Sequence, residues 1–280
     1  MLVSPREILV PAFREGRLTG AFNTGNMEMT MGILRAAEEL DRPILLQIAE
    51  KRLRRSPLHL MGPLMAEAAR QARIPVAVQL DHGEDEAVIR QALGYGFTGI
   101  MFDGSSLPLE ENIARSRNIR ALEPLTPNPL SLSPIWLETE IGVLSGSEGG
   151  PEAAALHSDP GQAEAFARAC GCDCLAVSIG NAHGHYKGKP KLNFSILEEI
   201  HRRLPGLPLV LHGGTGIPRE DLRRAAGMGI CKVNIATASF DACKESGTRN
   251  QESGDFFAFS EAMVRGVYES TLRQLAWFDL

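Results

Sequence analysis

The sequence lacks the features that mark membrane, secreted or nucleic-acid-binding proteins. No stretch approaches the ~18 consecutive apolar residues of a membrane span, and the N-terminal residues show no signal-peptide pattern. Basic residues are not in excess, since 29 Lys and Arg against 34 Asp and Glu give a formal net charge of −5. We therefore expect a cytoplasmic protein that binds neither nucleic acid nor membrane.

Cysteine is also scarce. Five cysteines form an odd set, which fits a reducing compartment better than a disulfide framework. Cys170, Cys172 and Cys174 follow one another at a spacing that lacks the two-residue gap of zinc knuckles. We interpret these three as small buried residues at a helix-to-strand junction.

Short apolar segments recur along the chain, with helical patterns between most of them. The predicted strands are 20–23, 43–49, 75–81, 97–102, 135–140, 174–179, 207–211 and 230–235. This alternation predicts an α/β protein, a (β/α)8 TIM barrel, as one domain over residues 1–280. A doubly wound sheet is disfavoured because no Gly-rich phosphate fingerprint follows the first strand.

One segment between these strands is predicted to lack regular structure. Residues 124–134 carry four prolines, which exclude a helix or a central strand. Residues 244–255 form a polar tract before a terminal helix over 256–277.

Histidine followed by glycine closes three of the predicted strands, at His82, His183 and His212. Reactive residues of a barrel lie at the carboxyl ends of its strands, so we expect these imidazoles on one rim. Three imidazoles with an open fourth position are the usual ligands of a catalytic zinc. His185 is an alternative to His183, but Gly184 makes continuation of the strand between them doubtful.

Asp81 directly precedes the first of these histidines. In an extended segment its side chain points away from that of His82, toward a substrate bound beside the metal. General acid–base catalysis is the predicted role, with orientation of an imidazole as the alternative. The other polar residues predicted at this rim are Asp103, Glu140 and Asn234.

The segments after the last two strands are predicted to bind phosphate. Residues 213–216, Gly-Gly-Thr-Gly, follow strand seven, and residues 234–237, Asn-Ile-Ala-Thr, follow strand eight. Barrel enzymes commonly bind phosphate at these two positions through backbone N–H groups. A metal beside a phosphate site predicts a phosphorylated substrate whose carbonyl or hydroxyl is polarised.

Six motifs at the strand ends occur in unbroken order. They are 81–83, 101–106 with 110–113, 137–142, 178–184, 211–216 and 232–237. From about Ala21 to Thr237 the chain thereby resembles the zinc-dependent class II ketose-bisphosphate aldolases. The resemblance implies a homodimeric or homotetrameric (β/α)8 barrel. It also implies reversible cleavage of fructose or tagatose 1,6-bisphosphate into dihydroxyacetone phosphate and glyceraldehyde 3-phosphate.

The resemblance assigns a zinc ion (Zn2+) to His82, His183 and His212. Zinc would hold the carbonyl and hydroxyl oxygens of the ketose-phosphate half and stabilise the enediolate left after cleavage. Asp103 and Glu140 match carboxylates near an alternative metal position in the family. An equal alternative for Asp103 and Glu140 is that they orient the metal ligands and do not bind the metal themselves.

Two carboxylates are implied to move protons. Asp81 acts at the hydroxyl on the carbon where the bond breaks, and Glu148 exchanges a proton with the enediolate. The glycine-rich turns are also where the family places a monovalent cation, Na+ or K+. The residues expected to bind the substrate are Asn23, Gly184, Gly213, Gly214, Thr215, Asn234, Ala236 and Thr237.

The sequence departs from the family pattern at three places, namely residues 49–51, the proline-rich segment 124–134, which resembles an insertion between helix four and strand five, and the loop around Glu148. Residues 49–51, Ala-Glu-Lys, replace a segment that commonly carries a phosphate-contacting hydroxyl, so Lys51 either replaces that contact or marks a different substrate. Glu148 lacks the usual following aspartate, and Ala236 favours the tagatose type.

Two alternatives to the ketose-bisphosphate aldolase remain. The first is an aldolase that joins dihydroxyacetone phosphate to an aldehyde from inositol, deoxy-sugar or sulfo-sugar breakdown. The second is a non-catalytic barrel subunit, which the costly cluster of ionisable groups disfavours.

Overall fold

The chain folds into a closed barrel of eight parallel strands. A computed structural model describes residues 1–122, 135–144, 156–186, 188–251 and 254–278. The strands pair in chain order, and the last pairs with the first. They are β1 Thr19–Asn23, β2 Ile44–Ala49, β3 Val76–Gly83, β4 Gly99–Phe102, β5 Trp136–Ile141, β6 Cys174–Val177, β7 Leu209–Leu211 and β8 Ile230–Ile235. The predicted (β/α)8 fold is confirmed.

Ten α-helices and one 3-10 helix are found in the described ranges. The α-helices are α1 Pro5–Arg14, α2 Met27–Glu39, α3 Leu58–Gln71, α4 Glu86–Gly94, α5 Leu109–Arg120, α6 Pro160–Cys170, α7 Phe194–Arg203, α8 Arg219–Ala226, α9 Thr237–Asn250 and α10 Phe256–Trp277. The 3-10 helix, Glu50–Arg52, follows β2 directly. None of these helices combines the length and apolar character needed to cross a membrane.

Two helices depart from the sequence prediction. Helix α1 was not predicted, although Ser4 and Glu7 form a capping box around Pro5 at its start. Helix α9 was not predicted either, and it runs through the polar tract as far as Asn250. Polar residues form a helix there because one face of α9 packs closely on α10, where a Cβ at Gly266 would lie 2.0 Å from Ser246 Oγ.

Helix α1 closes the amino-terminal end of the barrel. Its Ile8, Leu9 and Ala12 are buried in one apolar cluster with Leu45 of β2 and Trp136 of β5. The larger apolar core lies between the strands and the surrounding helices. Each strand is buried along its whole length, as parallel strands covered by helices require. With the amino-terminal end filled, a functional site is expected at the carboxyl ends of the strands.

The predicted helix-to-strand junction is found at the cysteines. Helix α6 ends at Cys170 and β6 begins at Cys174, and both side chains are buried, whereas Cys172 between them is only partly buried, contrary to the prediction. All five cysteines are free thiols, and none belongs to a candidate metal-binding group of the described residues.

Candidate active site

The backbone at the end of β3 is not extended, contrary to the sequence argument about Asp81 and His82. His82 has a φ of 46°, in the left-handed region, and the pairing of β3 with β4 shifts register between Leu80 and Gly83. Such a bulge re-aims a side chain at the cost of local strain. The imidazole is held in this orientation by Asp103, whose Oδ2 lies 2.7 Å from His82 Nδ1.

Three imidazoles meet at the carboxyl ends of β3, β6 and β7. The ring centroid of His82 lies 4.9 Å from that of His183 and 4.8 Å from that of His212. All three side chains are buried. His82 Nε2 and His212 Nδ1 are 3.1 Å apart. His185 lies outside this cluster: it is exposed and pairs with Asp241 at 3.2 Å. The geometry therefore favours His183 over His185 as a ligand.

The electrostatics of the cluster differ from one ring to the next. Burial lowers the pKa of His183 well below its usual value, and the positive charges of His82, His212 and Lys51 lower it further. Burial also lowers the pKa of His82, but the charges of Asp81 and Asp103 outweigh that effect and raise it to about 10. The neutral form of His183 is thus favoured.

Asp103 and Glu140 lie beside the same cluster. Asp103 Oδ1 accepts hydrogen bonds from the Ser105 backbone N–H at 3.0 Å and from its hydroxyl at 2.6 Å. Glu140 Oε2 lies 3.9 Å from the Nδ1 atoms of both His82 and His212. Burial raises the pKa of Glu140 well above its usual value, and repulsion from Asp103 adds to the effect.

The donor atoms of these residues fit a divalent metal ion. Two groups qualify, His82 with His183 and His212, and His82 with Asp103 and Glu140, the ligand atoms of each lying within 4.8 Å of one another. Among the described residues, His183 Nδ1 and Glu140 Oε2 are buried without a hydrogen-bond partner. Buried polar atoms rarely stay unpaired, so a ligand for them is expected. Imidazole and carboxylate donors in this number suit zinc.

Asp81 is held by two asparagines beside the metal cluster. Asn23 Nδ2 donates to Asp81 Oδ2 at 3.0 Å, and Asn234 Nδ2 donates to Oδ1 at 3.1 Å. Asp81 is fully buried, and it is not among the candidate metal ligands of the described chain. The two amides fix the plane of the carboxylate without consuming all of its acceptor capacity.

Glycine is required sterically in the turn after β7. Gly213 has a φ of 65°, and a Cβ there would lie 2.0 Å from the carbonyl oxygen of Ala182. A Cβ at Gly214 would lie 2.2 Å from Val233 Cγ1. Gly184, with a φ of 82°, also has left-handed backbone. The turns after β6 and β7 therefore approach each other closely.

The turn after β7 is also tied to the start of α9. Thr215 Oγ1 accepts a hydrogen bond from the Ala238 N–H at 3.3 Å. The helix begins at Thr237 without a side-chain cap from Ala236. Thr215 thus supplies one cap from outside the helix, and a helix N-terminus favours an anion, which fits the predicted phosphate position.

Sequence reasoning missed the buried network beneath the metal cluster. Glu138 accepts hydrogen bonds from His212 Nε2 at 2.9 Å, Gln79 Nε2 at 2.9 Å and Lys232 Nζ at 2.8 Å. Burial raises the pKa of Glu138, but the charge of Lys232 and the His212 hydrogen bond outweigh that effect and hold it well below its usual value. Because Nε2 of His212 donates to this carboxylate, its Nδ1 is left to face the cluster. The sequence feature that could have revealed this network is Lys232, a lysine in the middle of an apolar strand.

Tyr186 is a second residue that the sequence reasoning missed. Its hydroxyl donates to the Gly213 carbonyl at 2.9 Å and accepts from the Ala182 N–H at 3.1 Å. The ring thereby joins the two turns that carry His183 and Gly213. Glu148, predicted to exchange a proton with the enediolate, and the proline-rich segment 124–134 lie outside the described residues.

Comparisons with known proteins agree on one family. The sequence model described as fructose-bisphosphate aldolase class-II matches residues 3–279. The fructose-bisphosphate aldolase of Geobacillus stearothermophilus is 38% identical over 242 residues, covering 84% of this chain and 81% of that protein. The sulfofructosephosphate aldolase of Alkalicoccus urumqiensis is also 38% identical, over 238 residues, covering 84% of this chain and 80% of that protein.

A solved structure resembles the whole barrel. The crystal structure of the YdjI aldolase from Escherichia coli K12 superposes with a TM-score of 0.87 at 30% identity. The match covers 100% of this chain and 98% of that one.

Proposed function

The chain belongs to the class-II fructose-bisphosphate aldolase family, and from this we propose that it cleaves a ketose 1,6-bisphosphate by a reversible retro-aldol reaction. The products are dihydroxyacetone phosphate and glyceraldehyde 3-phosphate, and the ketose is tagatose or fructose 1,6-bisphosphate. One observation carries the proposal: the cluster of His82, His183 and His212 lies beside a buried Asp81 that two asparagines orient.

His82, His183 and His212 are the proposed zinc ligands, with Asp103 and Glu140 available at an alternative position. A bound divalent ion would supply positive charge against the oxyanion that develops when the carbon–carbon bond breaks. The protein contributes a preorganised donor set, because Asp103 orients His82.

Asp81 is the proposed acid–base residue. In the cleavage direction its carboxylate takes the proton from the hydroxyl on the carbon where the bond breaks, and it returns this proton in condensation. Asn23 and Asn234 each bind one carboxylate oxygen, so the position of Asp81 is set before substrate arrives. Preorganisation of this kind lowers the reorganisation required during the reaction.

The turns after β6, β7 and β8 are proposed to bind the phosphate of the dihydroxyacetone phosphate half. Gly184 and Gly213 have left-handed backbone without a side chain, and the start of α9 is a helix N-terminus, which favours an anion. The proposed contacts are Gly184, Gly213, Gly214, Thr215, Asn234, Ala236 and Thr237, together with Asn23, which binds the other carboxylate oxygen of Asp81.

Further parts of the proposal rest on the family resemblance. Glu148 exchanges the second proton, with the enediolate. A monovalent cation, Na+ or K+, lies at the glycine-rich turns. The protein acts as a homodimer or homotetramer in the cytoplasm.

A second candidate function differs from the first only in the aldehyde that the enzyme uses. In this reading dihydroxyacetone phosphate is joined to an acceptor other than glyceraldehyde 3-phosphate. A relative named sulfofructosephosphate aldolase is as similar as the fructose-bisphosphate aldolase, and Lys51 stands where the family commonly has a hydroxyl.

The test is metal analysis followed by a cleavage assay on a panel of ketose phosphates, with and without chelator. We expect about one zinc per chain, cleavage of at least one ketose bisphosphate, and loss of activity on chelation that zinc restores. Absence of bound metal together with activity that survives chelation would overturn the zinc mechanism. A chain that cleaves none of these substrates would overturn the aldolase proposal.

A further inference from the structure

Two cysteines separated by one glycine lie where the chain passes from α6 to β6. Cys170 is the last residue of α6, and Gly171 caps the helix in the left-handed region, with φ 69° and ψ 35°. A left-handed glycine turns the chain at the end of a helix, so Cys172 does not extend away from Cys170. Even in a fully extended chain, Cα atoms two residues apart are separated by at most about 7 Å, and the turn brings them into the range that a disulfide spans.

The two thiols interact with each other and with one hydroxyl group. The Cys172 thiol donates a hydrogen bond to Cys170, which lowers the pKa of Cys170 to about 7, although burial opposes the effect. The same hydrogen bond, together with burial, raises the pKa of Cys172 well above its usual value. Thr139 of β5 interacts with both thiols, and its Oγ1 lies 3.9 Å from Cys170 Sγ. The pair thus favours one thiolate near neutral pH, which is the form that attacks a disulfide.

Neighbouring contacts hold the backbone around the pair. Arg120 donates to the Gly171 carbonyl and, at 2.6 Å, to Asp173 Oδ2. The same oxygen of Asp173 accepts the Leu137 backbone N–H at 2.9 Å. The residues on both sides of Cys172 are therefore fixed to β5 and to α5. A bond between two groups that the fold already holds together costs little conformational entropy.

The cysteines of this segment differ in their surroundings. Cys170 is only 3% exposed, whereas Cys172 is partly exposed. Cys174 points into the barrel, where its Sγ lies 3.7 Å from Glu138 Oε2. A reagent in solution therefore reaches Cys172 first, and Cys170 is the buried partner beside it.

We infer that Cys170 and Cys172 form a thiol–disulfide exchange site, which a small-molecule disulfide oxidises to an intramolecular disulfide. A cysteine pair in a reducing compartment remains as two thiols until an oxidant is present, so such a disulfide is transient and not structural. The site lies between the end of α6 and the start of β6, at the opposite end of the strand from His183. It adds a reversible modification outside the proposed catalytic centre.

The exchange proceeds in two steps. Proton transfer along the hydrogen bond places the thiolate on Cys172, whose sulfur attacks the small disulfide and releases one small thiolate. Cys170 then loses its proton to solvent and attacks the Cys172 sulfur of the mixed disulfide, which releases the second small thiolate. Two protein S–H bonds are replaced by one S–S bond, and the two electrons reduce the small disulfide to two thiols. An excess of small thiol reverses both steps.

The test incubates the folded protein with glutathione disulfide in excess over glutathione. Acid stops the reaction, and the remaining thiols are labelled with N-ethylmaleimide in denaturant before peptide mass analysis. We expect labelling of Cys170 and Cys172 to fall roughly tenfold or more, and their shared peptide to be lighter by two hydrogen atoms than its unlabelled reduced form. Dithiothreitol should restore the labelling. Cys231, which is buried in the barrel interior, should stay labelled throughout.

Three single variants identify the sulfurs that react. Cys170→Ser removes the second nucleophile, so glutathione should remain attached to Cys172. Cys172→Ser should leave the buried Cys170 fully labelled. Cys174→Ser is the matched control from the same peptide, and it should form the disulfide as the wild type does. Circular dichroism before the acid quench verifies that each variant is folded.

Full labelling of Cys170 and Cys172 in the oxidised wild type would overturn the inference. A disulfide that joins them only after the chain is unfolded in urea would overturn it as well, because the native fold would then not bring the sulfurs together. Loss of the disulfide in Cys174→Ser would show that a different pair reacts. None of these measurements requires turnover, so their outcome is independent of the proposed aldolase function.

Discussion

Lys232 Nζ lies 2.8 Å from Glu138 Oε2 in the barrel interior, and neither side chain is exposed. The same carboxylate accepts the hydrogen bond from His212 Nε2 at 2.9 Å, so an ion pair and a proposed zinc ligand share one acceptor. Two charges removed from water are tolerated only while each compensates the other. The orientation of His212 therefore depends on a lysine contributed by β8.

Removing either charge of this pair is expected to destabilise the protein. Glu138→Gln leaves a buried ammonium, and Lys232→Met leaves a buried carboxylate, so each single change should lower the free energy of unfolding by about 3–5 kcal/mol. The double variant Glu138→Gln/Lys232→Met buries no net charge and is expected to lose less than the sum of the two single effects. Urea unfolding followed by circular dichroism gives the free energies of unfolding of the wild type, the two single variants and the double variant, which together form a double-mutant cycle.

The control for this cycle is Glu199→Gln, which removes the surface ion pairs with Arg202 and Arg203 and is expected to change the unfolding midpoint far less. Strict additivity of the Glu138 and Lys232 substitutions would contradict the coupling of the two charges.

Replacing Asp81 is expected to separate chemistry from metal binding. Asp81→Ala should lower kcat about 10²–10⁴-fold, the usual contribution of a positioned acid–base group, while zinc content stays at the wild-type level. Zinc is measured by atomic absorption and turnover by coupled assay. Loss of zinc in Asp81→Ala would indicate that the residue supports the metal site instead.

The histidine cluster predicts which imidazoles hold the metal. His212→Ala removes one of three proposed ligands and should release zinc and abolish cleavage. His185→Ala is the matched control, because His185 is exposed and pairs with Asp241 outside the cluster. Dialysis against a weak chelator, followed by metal analysis, separates the two variants. Equal retention of zinc by both would exclude His212 as a ligand.

The sequence was sufficient to predict the barrel and the residues at its rim. Apolar segments at a regular spacing predict parallel strands, and His-Gly pairs at their ends place three imidazoles together. The choice of His183 over His185 followed from Gly184, and the structure brings only His183 of these two into the cluster. Rim residues are predictable because barrel topology alone brings strand ends together.

The network beneath the rim was harder to predict. Glu138 of β5 and Lys232 of β8 are 94 residues apart in the sequence, and only closure of the barrel brings them into contact. The bulge at His82 likewise arises from tertiary contacts, since Asp103 holds an imidazole whose backbone has a φ of 46°. Local sequence patterns carry no record of such long-range partners.

The position of α9 shows the same limitation. Its sequence is polar, and its helical state depends on packing of small residues such as Ser246 against α10. Intrinsic propensity is overridden where another helix supplies the buried contact.

Glu50, which ties the segment after β2 to the backbone of Glu84 and Asp85, gives a pH-dependent prediction. Burial raises the pKa of Glu50 above its usual value of 4.5, and this effect outweighs the opposing backbone hydrogen bonds from Glu84 and Asp85. A raised pKa means that the folded state binds this proton more tightly than the unfolded state. The charge of Glu50 therefore costs stability, and this cost develops as the pH rises from about 4.5 through the higher pKa of the folded state.

Glu50→Gln keeps an oxygen to accept the two backbone N–H groups and removes the buried charge. The variant should come closest to the wild type near pH 4, where Glu50 is mostly protonated in both states, and should have the higher Tm at pH 7. Thermal unfolding at several pH values measures this difference, and Glu245→Gln, an exposed carboxylate on α9, controls for the loss of one negative charge. A Tm difference that is the same at pH 4 and pH 7 would show that Glu50 acts only through its hydrogen bonds.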